Sequence, residues 1–273
     1  TVVAVFMGLI LFYAILIMSS YLILAYFSIR ELKEYLRKNS FVNYDILLSS
    51  EFCPHLSLLA PAYNESLTVE ENVKSLLALN YNHYEVILIN DGSKDNSLEI
   101  LIKAYHLVPV EYDFETKIKT KKIKNIYRST NLAFKKLIVV DKENGGKADA
   151  LNVGLNIAQH PYVVCIDVDC ILEKDALLKL VKPFLEATDK RVIATGGVVR
   201  IANQCVVEDG RITEINLPLN LLARIQVLEY LRAFLLGRMA WGRLEGLLII
   251  SGAFGAFDTE IALLAGGYNH NTV

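Results

Sequence analysis

The chain has 273 residues, 53% of them apolar, with 28 basic and 30 acidic side chains and a net charge of −2. So even a balance excludes an electrostatic case for nucleic-acid binding, and four cysteines with neither zinc-like nor disulfide-framework spacing fit a reducing compartment. A mean hydropathy of +0.34 is high for a chain wholly in water and points to a segment in lipid.

That segment is at the start. Residues 1–29 hold no Lys, Arg, Asp or Glu, and a helix of that length spans roughly 40 Å, more than a bilayer's hydrocarbon core requires. The opening shows neither the basic leader nor the short apolar region of a signal peptide. Arg30, Lys33, Arg37 and Lys38 follow at once with nothing basic before them, so the positive-inside rule puts the remainder in the cytoplasm. The expected organisation is a transmembrane helix over 1–29, a juxtamembrane connection over 30–50 and a soluble domain over 51–273. A first residue other than Met leaves room for further helices upstream.

Past residue 50 the pattern alternates strands with amphipathic helices, the signature of a mostly parallel sheet covered on both faces. Leu56 to Ala60 reads as a strand ending in Pro61-Ala62-Tyr63-Asn64-Glu65, and Thr68-x-x-Glu71 has the form of a capping box opening a helix to about Leu79. Tyr84 to Ile89 reads as a second strand, ending in Asn90-Asp91-Gly92-Ser93, with a helix from about Asn96 to Tyr105. The run Lys117, Lys119, Lys121, Lys122, Lys124 and Arg128 reads as a solvated basic loop.

A third strand, Leu137 to Val140, leads into Asp141-Lys142-Glu143-Asn144-Gly145-Gly146-Lys147-Ala148. This is no phosphate-binding P-loop, which needs Gly where Asp141 stands and Ser or Thr where Ala148 stands. Ala148, Leu151, Leu155 and Ala158 mark the core stripe of the next helix. Lys147 sits at its amino end, where backbone N–H groups favour an anion.

Val163 to Asp169 reads as a buried strand whose last residues carry two carboxylates one residue apart. On a strand Asp167 and Asp169 share a face. They converge at the sheet's carboxyl edge, where a hard divalent cation relieves their repulsion. Leu177, Leu180, Val181 and Phe184 mark another helix, and Val192 to Ile201 a strand broken at Gly196-Gly197. Leu221, Ile225, Leu228 and Leu235 define a helix lying either on the membrane surface or against the core. Ser251-Gly252-Ala253-Phe254-Gly255 has the small residues that admit close approach of a ligand.

These strand and helix ends, followed by Gly266-Gly267-Tyr268, recur in one order over about residues 50 to 270. In that order the chain resembles the membrane-bound processive family 2 glycosyltransferases, the hyaluronan, cellulose and poly-N-acetylglucosamine synthases. The stretches Lys142 to Asn152 and Gln226 to Arg232 look most like the last of these. The resemblance implies a GT-A fold and inverting transfer of a sugar, N-acetylglucosamine, from a UDP-sugar to a growing polysaccharide. It implies that Pro61, Ala62, Tyr63 and Glu65 cradle uridine, that Asp91 meets the uracil, and that Lys147 and Asp167 contact the nucleotide and its diphosphate. It further implies that Asp169 binds Mg²⁺ or Mn²⁺, with Asp167 and Asp169 the catalytic pair, and that Ser251, Gly252, Ala253, Phe254 and Gly255 line the saccharide acceptor site. Two carboxylates so close do not suit glycoside hydrolysis, which uses a separation of roughly 5 Å or more.

The family's proposed general base belongs to an acidic motif later than Gly266-Gly267-Tyr268, and the sequence given stops at Val273, before it. The expectation is a synthase fragment without its base, or a chain completed by an additional membrane subunit. A membrane-tethered, catalytically inactive nucleotide-sugar-binding subunit is the alternative. Asp258, the nearest acidic residue, precedes a helix over Thr259 to Leu264, and capping is its expected task.

Overall fold

The computed structural model describes residues 2–39, 48, 50, 53–187, 189, 191–208, 211–244, 246 and 249–270. Most of the expected connection over 30–50 beyond Asn39 lies outside them, as does Val273. The chain divides into two compact units, one made of Thr1–Asn43, Val198–Val206 and Glu214–Ile249, the other of Tyr44–Gly197, Val207–Thr213 and Ile250–Val273.

In the first unit α1 (Val2–Asn39) is a single helix of 38 residues, about 57 Å at 1.5 Å per residue. It is long and apolar enough to cross a membrane, and its apolar side chains stand exposed, Phe6 at 64% and Leu22 at 69%. Its polar end is tied within the unit. Arg243 Nη1 donates to Glu31 Oε2 at 2.9 Å and to Glu34 Oε2 at 2.8 Å.

The second unit is built on an eight-stranded sheet. Its strands are β1 (Leu56–Ala62), β2 (Tyr84–Asn90), β3 (Leu107–Pro109), β4 (Ile123–Ser129), β5 (Leu137–Lys142), β6 (Tyr162–Ile166), β7 (Ala194–Gly196) and, after a separate ribbon of β8 (Val206–Glu208) with β9 (Arg211–Glu214), β10 (Phe254–Asp258). The order across the sheet is β3-β4-β5-β2-β1-β6-β10-β7. The four central strands β5, β2, β1 and β6 are parallel, and the flanking pairings are antiparallel.

Burial on both faces explains why the central strands are continuously apolar. Leu58, Ala60, Val86, Leu88 and Val164 pack on one side with Val73, Leu101 and Leu177. These come from α2 (Val69–Leu77), α3 (Ser97–Tyr105) and the later helix Ala176–Glu186. Leu59, Ile87, Ile89 and Val163 pack on the other with Leu151 and Leu155 of α4 (Lys147–Ile157). The helix over Ala176–Glu186 is α5.

Four local expectations are corrected. Thr68 caps no backbone N–H; its hydroxyl turns to Glu65 Oε2 at 3.3 Å, so the capping box does not form. The basic run ends in β4, where Lys124 and Asn125 are exposed at a bulge in the pairing with β5 while Ile126 is buried against the sheet. The strand expected over Val192 to Ile201 shrinks to three residues, the only stretch there registered with β10. The helix begun at Leu221, α6 (Leu221–Leu231), buries none of its side chains, so the core-facing reading fails. It continues as a π-helical turn over Arg232–Arg238 and then α7 (Met239–Arg243).

Candidate active site

The four parallel strands all point their carboxyl ends at one edge of the sheet. Ala62 is level with Asn90 and Asn90 with Asp141, and Asp91 N–H donates to the Ala62 carbonyl at 2.9 Å. Tyr63, Asp91, Lys142 and Asp167 therefore leave the sheet side by side. Between them lies a cleft of about 290 Å³ lined by Pro61, Ala62, Tyr63, Glu65, Asp91, Lys147, Asp167, Val168 and Asp169. Each of the residues expected to bind donor or metal is in that lining. Val168 is the one addition.

One wall is a pair of laced loops. Asn64 N–H donates to Ser93 Oγ at 3.0 Å, Lys94 N–H to Asn64 Oδ1 at 2.8 Å, and Ser66 N–H to Asp95 Oδ2 at 3.0 Å. Glu65 N–H donates to Ser97 Oγ at 3.0 Å. These four bonds tie the Tyr63–Ser66 segment to the loop before α3 and to the helix's first residue, with Tyr63 left 43% exposed over the cleft.

The opposite wall corrects the strand reading of the two aspartates. β6 stops at Ile166, where its pairing with β10 also ends, and residues 167–170 form a turn closed by Cys170 N–H to the Asp167 carbonyl at 3.0 Å. The carboxylates meet because the chain folds back, not because alternate strand residues share a face. Their oxygens and Cys170 Sγ lie within 4.8 Å of one another. Burial, followed by the two aspartates, pushes the Cys170 thiol up to about 11; the paired carboxylates supply hard oxygen donors. Such a donor set fits Mg²⁺ or Mn²⁺. Asp167 already pairs with the Lys147 ammonium, whereas Asp169 has no hydrogen-bond or ion-pair partner among the described residues.

α4 opens at Lys147 as expected, but the anion at its amino end is the protein's own. Gly145 N–H donates to Asp91 Oδ1 at 3.0 Å and Gly146 N–H to Asp91 Oδ2 at 2.8 Å. Those amides are spent on Asp91, so Lys147 faces the cleft without them. Lys142 and Asp149 lie behind Asp91, buried at 0% and 5% exposure, and the sequence alone assigns neither a role in the site.

The segment expected to meet the acceptor divides in two. Phe254 and Gly255 are buried in β10, while Ser251, Gly252 and Ala253 form the rim beside Asp167, whose N–H donates to the Ala253 carbonyl at 3.3 Å. A Cβ at Gly252 would stand 3.7 Å from Lys147 Nζ. Asp258 caps α8 (Thr259–Leu264) by accepting from Ile261 N–H at 3.2 Å, and it also pairs with Arg191 at 2.6 Å.

Residues 57–247 match the family model described as glycosyl transferase family 2. The chain belongs to glycosyl transferase family 2. Within that family it is 32% identical over 229 residues to the poly-β-1,6-N-acetyl-D-glucosamine synthase of Staphylococcus aureus strain COL, an alignment covering 82% of this chain and 43% of that one. The synthase of the same name from Staphylococcus epidermidis is 33% identical over 191 residues, covering 69% and 36%. The chain thus spans less than half the length of these curated relatives. In three dimensions it is similar to a mannosyltransferase, PcManGT of Pyrobaculum calidifontis, in complex with GDP-Man and Mn²⁺, with a TM-score of 0.52 at 19% identity over 91% of this chain and 60% of the other. That likeness shows the fold, a GT-A-like sheet with a parallel centre.

Proposed function

We propose that this family 2 chain is the donor-binding domain of a membrane-anchored, metal-dependent, inverting glycosyltransferase that moves N-acetylglucosamine from UDP-N-acetylglucosamine to a growing polysaccharide. The observation that carries the reading is the convergence of Tyr63, Asp91, Lys147, Asp167 and Asp169 on one cleft. The choice of sugar rests on the names of the two synthases, and the membrane anchor on α1 followed by basic residues.

In this reading the uracil lies against Pro61 and Tyr63 and meets the Asp91 carboxylate. Asp169, with Asp167 beside it, would hold Mg²⁺ or Mn²⁺, which when bound supplies positive charge to the departing diphosphate. Lys147 has a second charge to give. Its partner Asp167 is 31% exposed and the ammonium itself 48%, so their ion pair is weak enough to open toward a phosphate. A lysine that gains strength of contact as the leaving group gains charge favours the transition state over the intact donor. Ser251 to Ala253 form the face on which the acceptor hydroxyl approaches, and the catalytic unit sits on the cytoplasmic side.

Calorimetric titration of UDP with and without Mn²⁺ tests this. The wild-type chain is expected to need the cation, and Asp169→Asn to weaken UDP at least about tenfold, the scale of one charge-assisted contact. Equal, metal-independent binding in both would return Asp169 to a solvated turn and sink the reading.

A further inference from the structure

Behind the cleft, the end of β5 carries a lysine that the cleft lining does not contain. Lys142 is fully buried, and its ammonium has an acceptor for each of its three protons: the Asp91 carboxylate, Asp149 Oδ2 at 2.8 Å and the Glu143 carbonyl at 2.6 Å. Stability alone does not call for such a group, because a well-packed apolar side chain serves as well as a buried ion pair. What a buried ion network does supply is one fixed geometry.

The geometry fixed here is that of Asp91. Its Oδ1 takes Lys142 and Gly145 N–H, whereas Oδ2, among the described residues, takes only Gly146 N–H at 2.8 Å. Oδ2 keeps a lone pair, and Asp91 lines the cleft. Asp149 packs tightly against the loop that holds Asp91, since a Cβ on Gly145 would stand 2.5 Å from Asp149 Oδ2. Without the ammonium, Asp91 and Asp149 would face each other as uncompensated carboxylates and separate.

We propose that Lys142 is the positioning residue for nucleobase selection: it holds Asp91 so that a carboxylate oxygen, an acceptor only, confronts the base edge. The proposal rests on the reading of the cleft as a uridine diphosphate site. Uracil presents an imide N–H to that oxygen. Cytosine presents a ring-nitrogen lone pair at the same position and is repelled, which leaves a buried polar group unpaired and discriminates strongly.

The test is a pair of dissociation constants, for UDP and for CDP, each with Mn²⁺, on the whole chain in detergent. Wild type is expected to prefer UDP by at least about tenfold. Asp149→Asn, which leaves the Lys142–Asp91 contact, keeps that ratio within about threefold. The double variant Lys142→Met with Asp149→Asn removes one positive and one negative charge, so the buried net charge is unchanged. It is expected to bind UDP at least about tenfold more weakly and to lose most of the preference over CDP. Lys142→Arg, which keeps the charge but moves it, is expected to reduce the ratio as well and serves if the double variant does not fold. UDP and CDP weakening in parallel with their ratio intact would mean a merely structural lysine and overturn the proposal, as would a double variant indistinguishable from Asp149→Asn. A wild-type chain that binds no UDP would instead overturn the donor-site reading itself.

Discussion

Gly92→Ala is the sharpest perturbation of the wall that carries Asp91. Gly92 has φ of +66°, and a Cβ built there stands 2.6 Å from the backbone nitrogen of Asn144 and 3.1 Å from its Cβ. A left-handed backbone costs an L-residue about 1–2 kcal/mol. The contact adds about 1–3 kcal/mol as overpacking, because a backbone atom cannot leave by changing rotamer. The sum, about 2–5 kcal/mol, corresponds to a fall in melting temperature of roughly 5–15 °C for a domain of this size. Function should fall with it. Asn144 Nδ2 donates to the Asp91 carbonyl at 2.7 Å, and the next two amides hold the Asp91 carboxylate, so displacing Asn144 loosens the cleft and weakens UDP by at least about tenfold. Gly266→Ala is the control, since Gly266 has φ of +86° with nothing within 4 Å. It isolates backbone strain from contact. Thermal melts in detergent and UDP titrations of the three proteins decide the matter. A Gly92→Ala protein that melts and binds like wild type, or a Gly266→Ala protein equally damaged in UDP binding, would refute the reasoning.

Two further outcomes are expected away from the cleft. At the amino edge of the sheet His55 stacks on His83 with centroids 4.6 Å apart and meets His160 edge-on at 5.2 Å. Burial, opposed by Glu85 and reinforced by His55 and His83, lowers the His160 pKa below its usual 6.5. The unfolded chain then binds the proton that the folded one resists, so stability is full above about pH 6.5 and falls as the pH drops below it. His160→Gln should flatten melting temperature against pH between about 7 and 5, and an unchanged slope would refute it. Asp258→Ala removes both the α8 cap and the Arg191 pair and should cost about 1–2 kcal/mol in thermal stability. UDP affinity should not change, and a large loss of nucleotide binding would place Asp258 in the site.

Much of the second unit was legible because its central strands are buried on both faces and read as unbroken apolar runs, Leu56 to Ala60 and Leu137 to Val140 among them. Their polar ends mark the cleft for the same reason, as the first residues past a buried strand. β4 was not legible. Its exposed residues, Lys124 and Asn125, sit at a bulge in the pairing with β5, and the lysines at 117, 119, 121 and 122 just before it make the stretch look like loop. The convergence of Asp167 and Asp169 was foreseen for the wrong cause, since the end of strand pairing at Ile166 is a tertiary fact. Lys142 and Asp149 escaped notice because their burial depends on Asp91, some fifty residues away in the chain. Spacing alone does not show that the Gly145 and Gly146 amides just ahead of the helix are already taken by that same carboxylate.

The central claim is that one cleft holds a nucleotide between Asp91 and a cation at Asp169. An experimental structure of the chain soaked with UDP and Mn²⁺, with anomalous data collected for manganese, tests it most directly. The account predicts an anomalous peak at coordination distance, about 2–2.5 Å, from an Asp169 carboxylate oxygen, with the uracil against Tyr63 and Asp91 and the diphosphate within reach of Lys147. Manganese or nucleotide bound elsewhere, with this cleft empty at saturating UDP, would contradict it.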